Sequence, residues 1–296
     1  MAINTLFRLT TRLFLPHLAK QMTEEGAFYL YDGRDADAEL DRYIIVEDHG
    51  ADVTIFCFSG LAVLVAGLCR RAFRELFPNE GRDFNFVFLR DLRRMAYHVA
   101  PDGQRNGLAF YTDKVRQTME SLGAKHNIAV GDSVGGSAAF YFGTKCAMDH
   151  IVAFSPAFPE TVFTAPHAQL KTYFDVGKLF THPGAYIELL LVTVSACWAR
   201  RQIRKAVGED ALWDVMAEYR NAGADRPTAT VFYGEKSGPD ARQAALLSDL
   251  PTVKLAPLPT GRHDCPAYLR RRGTLAEAIV QDVNAALGRA GAQNPV

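Results

Sequence analysis

A chain of 296 residues is long enough for one large α/β domain with a full core, or for two small ones. Hydrophobic residues make up 48 % and charged residues 22 %, the balance of a folded globular chain rather than a disordered one. Lys+Arg and Asp+Glu number 33 each, which excludes a global basic field for nucleic acid or anionic lipid; the expected partner is a small molecule or another protein.

The opening segment, Met1 to Met22, carries Arg8, Arg12, His17 and Lys20 among its apolar residues, and these charges break up any secretory apolar core. Leu6, Leu9, Leu13, Phe14 and Leu18 fall roughly on one helical face. Such a helix either packs against the body of the domain, the favoured reading, or makes peripheral contact with a membrane surface. Ala27 to Leu30 and Tyr43 to Val46 are weak strand candidates for a leading antiparallel edge.

From Val53 the chain alternates strand and helix patterns. Val53 to Phe58 is a nearly unbroken apolar run, as a strand covered on both faces would be. Ser59 and Gly60 end it, and Leu61 to Leu76 reads as a helix with Leu61, Leu64, Val65, Leu68, Phe73 and Leu76 inward. Phe84 to Leu89 is the next strand; a helix from about Leu108 to Leu122 follows a loop with Pro101, Asp102 and Gly103. Asn127 to Val130 and Ile151 to Phe154 are strands separated by a glycine-rich turn and a helix from about Gly136 to Cys146. Ala229 to Tyr233 and Val253 to Leu258 come later, before a closing helix from about Thr274 to Leu287. Strands separated by helix-length segments predict an α/β fold, a mostly parallel central sheet flanked by helices.

Between about residues 156 and 227 the alternation stops and the pattern is mainly helical, so the chain reads as a single domain with a helical lid or cap insertion. The run Leu189 to Ala199 is too short to span a bilayer, and no transmembrane segment is expected. Phe158, Phe163, Tyr173, Phe174, Phe180, Tyr186 and Trp198 have three roles open to them: the insertion's own core, which ranks first, an apolar acyl pocket under the lid, or a homodimer contact.

Gly131-Asp132-Ser133-Val134-Gly135 is the sharpest local signal. It fits the G-x-S-x-G nucleophile elbow, with the strand before and helix after that the motif requires. A serine at the tip of so tight a turn leaves no room for flanking side chains, and the following helix N-terminus offers N–H groups to an oxyanion. A serine that merely caps the helix is the bland alternative. The segment lacks the spacing of a nucleotide-binding loop.

Together with Phe58-Ser59-Gly60, Phe154-Ser155-Pro156, Tyr233-Gly234 and a histidine after the last strand, the elbow resembles the α/β-hydrolase superfamily over about Val53 to Leu287. The resemblance implies a triad in the order nucleophile, acid, histidine. His263, in Thr260-Gly261-Arg262-His263-Asp264, is the expected base and His98 its main rival. The acid departs from the family's pattern, because the usual position three residues beyond Gly234 is Ser237. Asp240 is preferred to Glu235 for its shape and reach, although Asp240 equally suits an N-cap of the helix-like stretch Ala241 to Leu247.

One oxyanion donor is expected at Val134 and the other at Gly60 or Leu61, with the Ser59 side chain as an assistant. No metal or organic cofactor is implied. Cys57, Cys69, Cys146, Cys197 and Cys265 show no CxxC or zinc-ligand spacing; that most of them are buried reduced thiols, and a cytoplasmic location, follow as expectations. Arg90-Asp91-Leu92-Arg93-Arg94 and Arg270-Arg271-Arg272 read as solvated surface, with Arg90 and Asp91 also placed to border a pocket for an anionic group. The expected activity is hydrolysis of a carboxylic ester, thioester or amide on a small-molecule acyl substrate. An acyltransferase and a non-catalytic binding protein of the same fold are the alternatives.

Overall fold

The computed structural model describes residues 9, 11–13, 15–26, 42–77, 83–158, 183–208 and 214–288. Seven strands form its sheet: β1 (Ile44–Glu47), β2 (Val53–Phe58), β3 (Asn85–Leu89), β4 (His126–Asp132), β5 (His150–Phe154), β6 (Thr228–Gly234) and β7 (Val253–Leu258). Their order is β1-β3-β2-β4-β5-β6-β7, with β1 antiparallel to β3 and every other pair parallel. The apolar runs explain the centre: every residue of β2, β3 and β5 is buried, as strands with helices on both faces must be.

The helices are α1 (Pro16–Glu24), α2 (Arg70–Arg74), α3 (Gly107–Leu122), α4 (Val134–Lys145), α5 (Pro183–Val207), α6 (Val215–Asn221), α7 (Gly238–Ala245), α8 (Pro266–Arg272) and α9 (Leu275–Ala286). One core layer packs Phe56, Phe58, Val87 and Ile151 against Tyr111, Phe140 and Phe142; the other packs Ile55, Phe86, Val130 and Phe154 against Phe73, Leu269 and Ile279. Phe58 stacks on Phe142 with ring centroids 5.3 Å apart.

The chain places β3 on one side of β2 and then crosses back to place β4 on the other. This reversal makes the C-terminal ends of β2 and β4 a topological switch point, the place where open α/β sheets hold ligands.

One predicted element is overturned. Residues 61–69 form a loop in place of the first half of the helix read over Leu61 to Leu76, and only Arg70–Arg74 is helical. The apolar spacing did mark burial, since Val63, Leu64, Val65 and Leu68 are all inside. Positive φ at Val63 (60°), Ala66 (50°) and Gly67 (69°) rules out a continuous helix there.

The leading edge strand lies at Ile44–Glu47 within one residue of its expected place, whereas Ala27 to Leu30 falls outside the described residues. In α1, Ala19 and Met22 are buried with Val63, Leu64, Cys69 and Leu92, so this part of the opening segment packs against the domain. Leu9 and Leu13 are exposed. Between β5 and β6, Phe158 is buried against Phe140, and Trp198 packs on the same core cluster. Phe163, Tyr173, Phe174, Phe180 and the side chain of Tyr186 fall outside what is described. No helix among the described residues is long and apolar enough to cross a membrane.

Candidate active site

The turn after β4 sets the geometry. Ser133 sits at φ 53°, ψ −124°, a conformation that side-chain-bearing residues rarely adopt. Its backbone is held there from β5: the Ser133 N–H donates to the Phe154 carbonyl at 2.9 Å, and the Ser133 carbonyl accepts from the Ala157 N–H at 2.9 Å. The flanking glycines are dictated by space. A Cβ on Gly131 would collide with the Gly135 carbonyl, and one on Gly135 would stand 2.7 Å from the Ser59 carbonyl carbon and 2.9 Å from the Gly60 nitrogen. The first turn of α4 is thereby pressed against the end of β2.

His263 follows β7. Its Nε2 lies 2.9 Å from Ser133 Oγ and its Nδ1 lies 2.8 Å from Asp240 Oδ1. A carboxylate only accepts, so Nδ1–H donates to Asp240 and leaves Nε2 to accept from the serine hydroxyl. Asp240 lies in the first turn of α7, so it is not the cap residue; Ser237 holds that place. The Ser155 hydroxyl donates to the second Asp240 oxygen at 3.2 Å. Glu235 N–H donates to the Leu258 carbonyl and Lys236 N–H to the Thr260 carbonyl, which lashes the segment leading to the acid to the one leading to the histidine. Asp240 is buried with its side chain 3 % exposed, while His263 keeps 21 %. The Glu235 side chain is exposed.

Val134 opens α4 and has no carbonyl four residues back within the helix, so its N–H is one of the free donors of a helix start. In the turn after β2, the Gly60 N–H is already committed to the Leu64 carbonyl at 3.0 Å. Leu61 is anchored through its carbonyl, which accepts from Arg94 Nε at 2.9 Å.

Several expected neighbours have other duties. Ser59 Oγ accepts from the Asp91 N–H at 3.1 Å, so its side chain ties strand ends together. Arg90 is buried, pairs with Glu25 and donates to the Arg42 and Glu25 carbonyls; Asp91 is buried and accepts from the Tyr97 N–H. Arg90 lines a pocket of about 520 Å³ together with Glu25, Arg42, Arg70 and Arg71, whose lining does not include Ser133 or His263. Burial pushes the Asp91 carboxyl up to about 6 against the hydrogen bond from Tyr97 and the Arg94 charge. His98 is buried with Nδ1 against the Met95 and Ala96 carbonyls, and burial brings it down to about 4, so this rival base is a structural histidine. Cys57, Cys69, Cys146 and Cys265 are free and buried; Cys197 is free and half-buried.

Residues that the motifs alone did not single out complete the surroundings. Tyr97 Oη reaches the Ser59 and Leu89 carbonyls, at 3.0 and 3.1 Å, and holds the ends of β2 and β3. Asp132 Oδ1 accepts from the Ala66 N–H at 3.0 Å. Burial, reinforced by the Asp264 carboxylate, pushes Asp132 up to about 7 against the Ala66 hydrogen bond and the His263 and Arg270 charges. Arg270 was expected at the solvated surface. Its side chain is instead 10 % exposed and paired with Asp264, whereas Arg271 and Arg272 are exposed. Asp132 and Arg270 stood inside quoted motifs, but only the fold brings them together.

No protein-family model matches the chain, and no curated protein matches it by sequence. Solved structures do. A carboxylesterase structure from the thaumarchaeon Nitrososphaera gargenis aligns with a TM-score of 0.52 at 12 % identity, covering 83 % of this chain and 95 % of that one. The non-heme bromoperoxidase candidate BpoC of Mycobacterium tuberculosis aligns at 0.50 and 11 %, covering 82 % and 95 %. A Staphylococcus aureus protein of unknown function aligns at 0.51 and 11 %, covering 82 % and 94 %. Strand order, elbow and structural likeness agree: the chain has the α/β-hydrolase fold.

Proposed function

We propose that the protein is a serine hydrolase that cleaves a carboxylic ester, or the related thioester or amide, through an acyl-enzyme. The observation that carries this reading is the unbroken hydrogen-bonded chain Ser133 Oγ, His263 Nε2, His263 Nδ1, Asp240 Oδ1 at 2.9 and 2.8 Å, with the serine on a strained turn. Ser133 Oγ attacks the acyl carbonyl and gives its proton to Nε2, while Asp240 keeps the proton on Nδ1 and stabilises the imidazolium. The carbonyl oxygen becomes an oxyanion and accepts from the Val134 and Leu61 N–H groups. One such donor is worth roughly a hundredfold to a thousandfold in kcat. Nε2–H then protonates the departing alcohol, thiol or amine, and water repeats the sequence on the acyl-enzyme to release the acid.

The irregular acid position was the feature that favoured a non-catalytic binding protein, and it loses force with Asp240 within hydrogen-bond reach of Nδ1. Transfer to an acceptor other than water uses the same groups and differs only in what captures the acyl-enzyme.

The test is labelling by a fluorophosphonate probe, with hydrolysis of short- and long-chain p-nitrophenyl esters, in wild type, Ser133→Ala and His263→Ala. Labelling and turnover in wild type that both variants lose are expected. A well-folded wild type that neither labels nor turns over any ester would overturn the reading.

A further inference from the structure

We infer that Asp132 and Arg270 are positioning residues that fasten Ala66, and through it the loop presenting the Leu61 N–H, to both the serine and the histidine. This inference rests on the hydrolase reading of the site. Ala66 stands in the left-handed region at φ 50° and is gripped at both of its backbone polar groups. Its N–H donates to Asp132 Oδ1 at 3.0 Å, and Asp132 is the residue before Ser133. Its carbonyl accepts from Arg270 Nη1. The other guanidinium nitrogen, Nη2, donates to Asp264 Oδ2 at 2.6 Å, and Asp264 is the residue after His263. Asp264 is in turn fixed at the start of α8, where Oδ1 accepts from the Ala267 N–H at 3.2 Å.

The loop is built to transmit this grip. Val65 and Leu68 exchange backbone hydrogen bonds at 3.0 and 2.9 Å, the Gly60 N–H donates to Leu64, and the Val63 N–H donates to Gly60. Residues 60–68 are therefore one closed unit, not a strap with independent ends. Gly67 leaves the space that the guanidinium fills: a Cβ there would lie 2.7 Å from Arg270 Nη1. Arg94 holds the Leu61 carbonyl. Nucleophile, base and the second oxyanion donor thus share one set of ties, and a shift of about 1 Å in such a donor is enough to cost about a hundredfold in rate.

The experiment compares ester turnover in wild type, Asp132→Ala, Asp132→Asn, Arg270→Met and the Asp132→Ala/Arg270→Met double variant, with hydrogen–deuterium exchange of residues 60–69. Both single variants should lose about 10- to 100-fold in kcat with KM changed by less than about threefold, because the lost donor acts on the transition state. Asp132→Asn keeps an acceptor for the Ala66 N–H and should recover most of that loss. The double variant should fall well short of the product of the two single losses, since both act on one unit. Exchange over 60–69 should rise in both single variants while β4 and β5 stay protected. Wild-type kcat in both single variants, or unchanged exchange over 60–69, would overturn the inference. Inactive wild type would instead sink the hydrolase reading, and the exchange data would still decide whether the loop is fastened as described.

Discussion

Both oxygens of the Asp240 carboxylate are occupied, one by the His263 Nδ1–H and the other by the Ser155 hydroxyl. A carboxylate held at both oxygens cannot swing away from the imidazole, and a single hydrogen-bonded geometry is what a triad acid has to supply. Asp240→Asn is therefore expected to lower kcat by about 10³- to 10⁴-fold without loss of fold, whereas Glu235→Ala, at an exposed side chain, should stay within about twofold of wild type. Steady-state kinetics of the two variants decide between the two carboxylates. Position alone told against Asp240, because the family pattern puts its acid where Ser237 stands. The deciding partner, Ser155, lies 85 positions earlier in the chain and meets Asp240 only when β5 and β6 pair.

At the scale of elements, the strands were legible because burial on both faces leaves so little freedom of composition. β2, β3 and β5 are buried along their whole length, and the apolar runs read as such. The elbow was legible for a related reason: only glycine fits where α4 presses on the end of β2. The stretch from Leu61 to Leu76 misled because periodicity reports which residues go inside, not how the backbone takes them there. Its conformation is decided by distant partners, Asp132 and Arg270, 66 and 204 positions from Ala66. The same holds for Arg90, Asp91 and Arg270. A run of charges reads as solvated surface, and only the fold reveals which members meet a carbonyl or an opposite charge indoors.

Across the whole molecule, the sheet separates the proposed chemistry from cohesion. Ser133 and the end of β2 lie at the C-terminal ends of the strands. At the other end, one buried carboxylate joins three strands to α9. Asp282 receives hydrogen bonds from His150 at 3.0 Å and Thr230 at 2.8 Å, and pairs with Lys254 at 3.4 Å. Burial alone would raise this carboxyl, but the hydrogen bonds from His150 and Thr230 and the charges of His150 and Lys254 outweigh it and hold it below its ordinary value. A depressed carboxyl contributes stability that is present above the unfolded-state pKa and is lost as pH falls through the lower folded-state value. Asp282→Asn should therefore be less stable than wild type by about 3 kcal/mol at neutral pH. The gap should narrow below about pH 4, as the wild-type group protonates. Urea titrations at several pH values measure it, and kcat below the melting transition should not change.

The backbone of Ser133 has a thermodynamic consequence. At φ 53°, ψ −124° a residue with a Cβ carries strain of about 1–3 kcal/mol that glycine does not, partly offset by the greater freedom glycine loses on folding. Ser133→Gly should therefore be inert yet melt a few degrees higher than Ser133→Ala, which removes the same hydroxyl and keeps the strain; differential scanning calorimetry of the two proteins gives the difference directly. Stability and reactivity would then compete at a single residue, and selection for thermal robustness alone would erase the proposed nucleophile first.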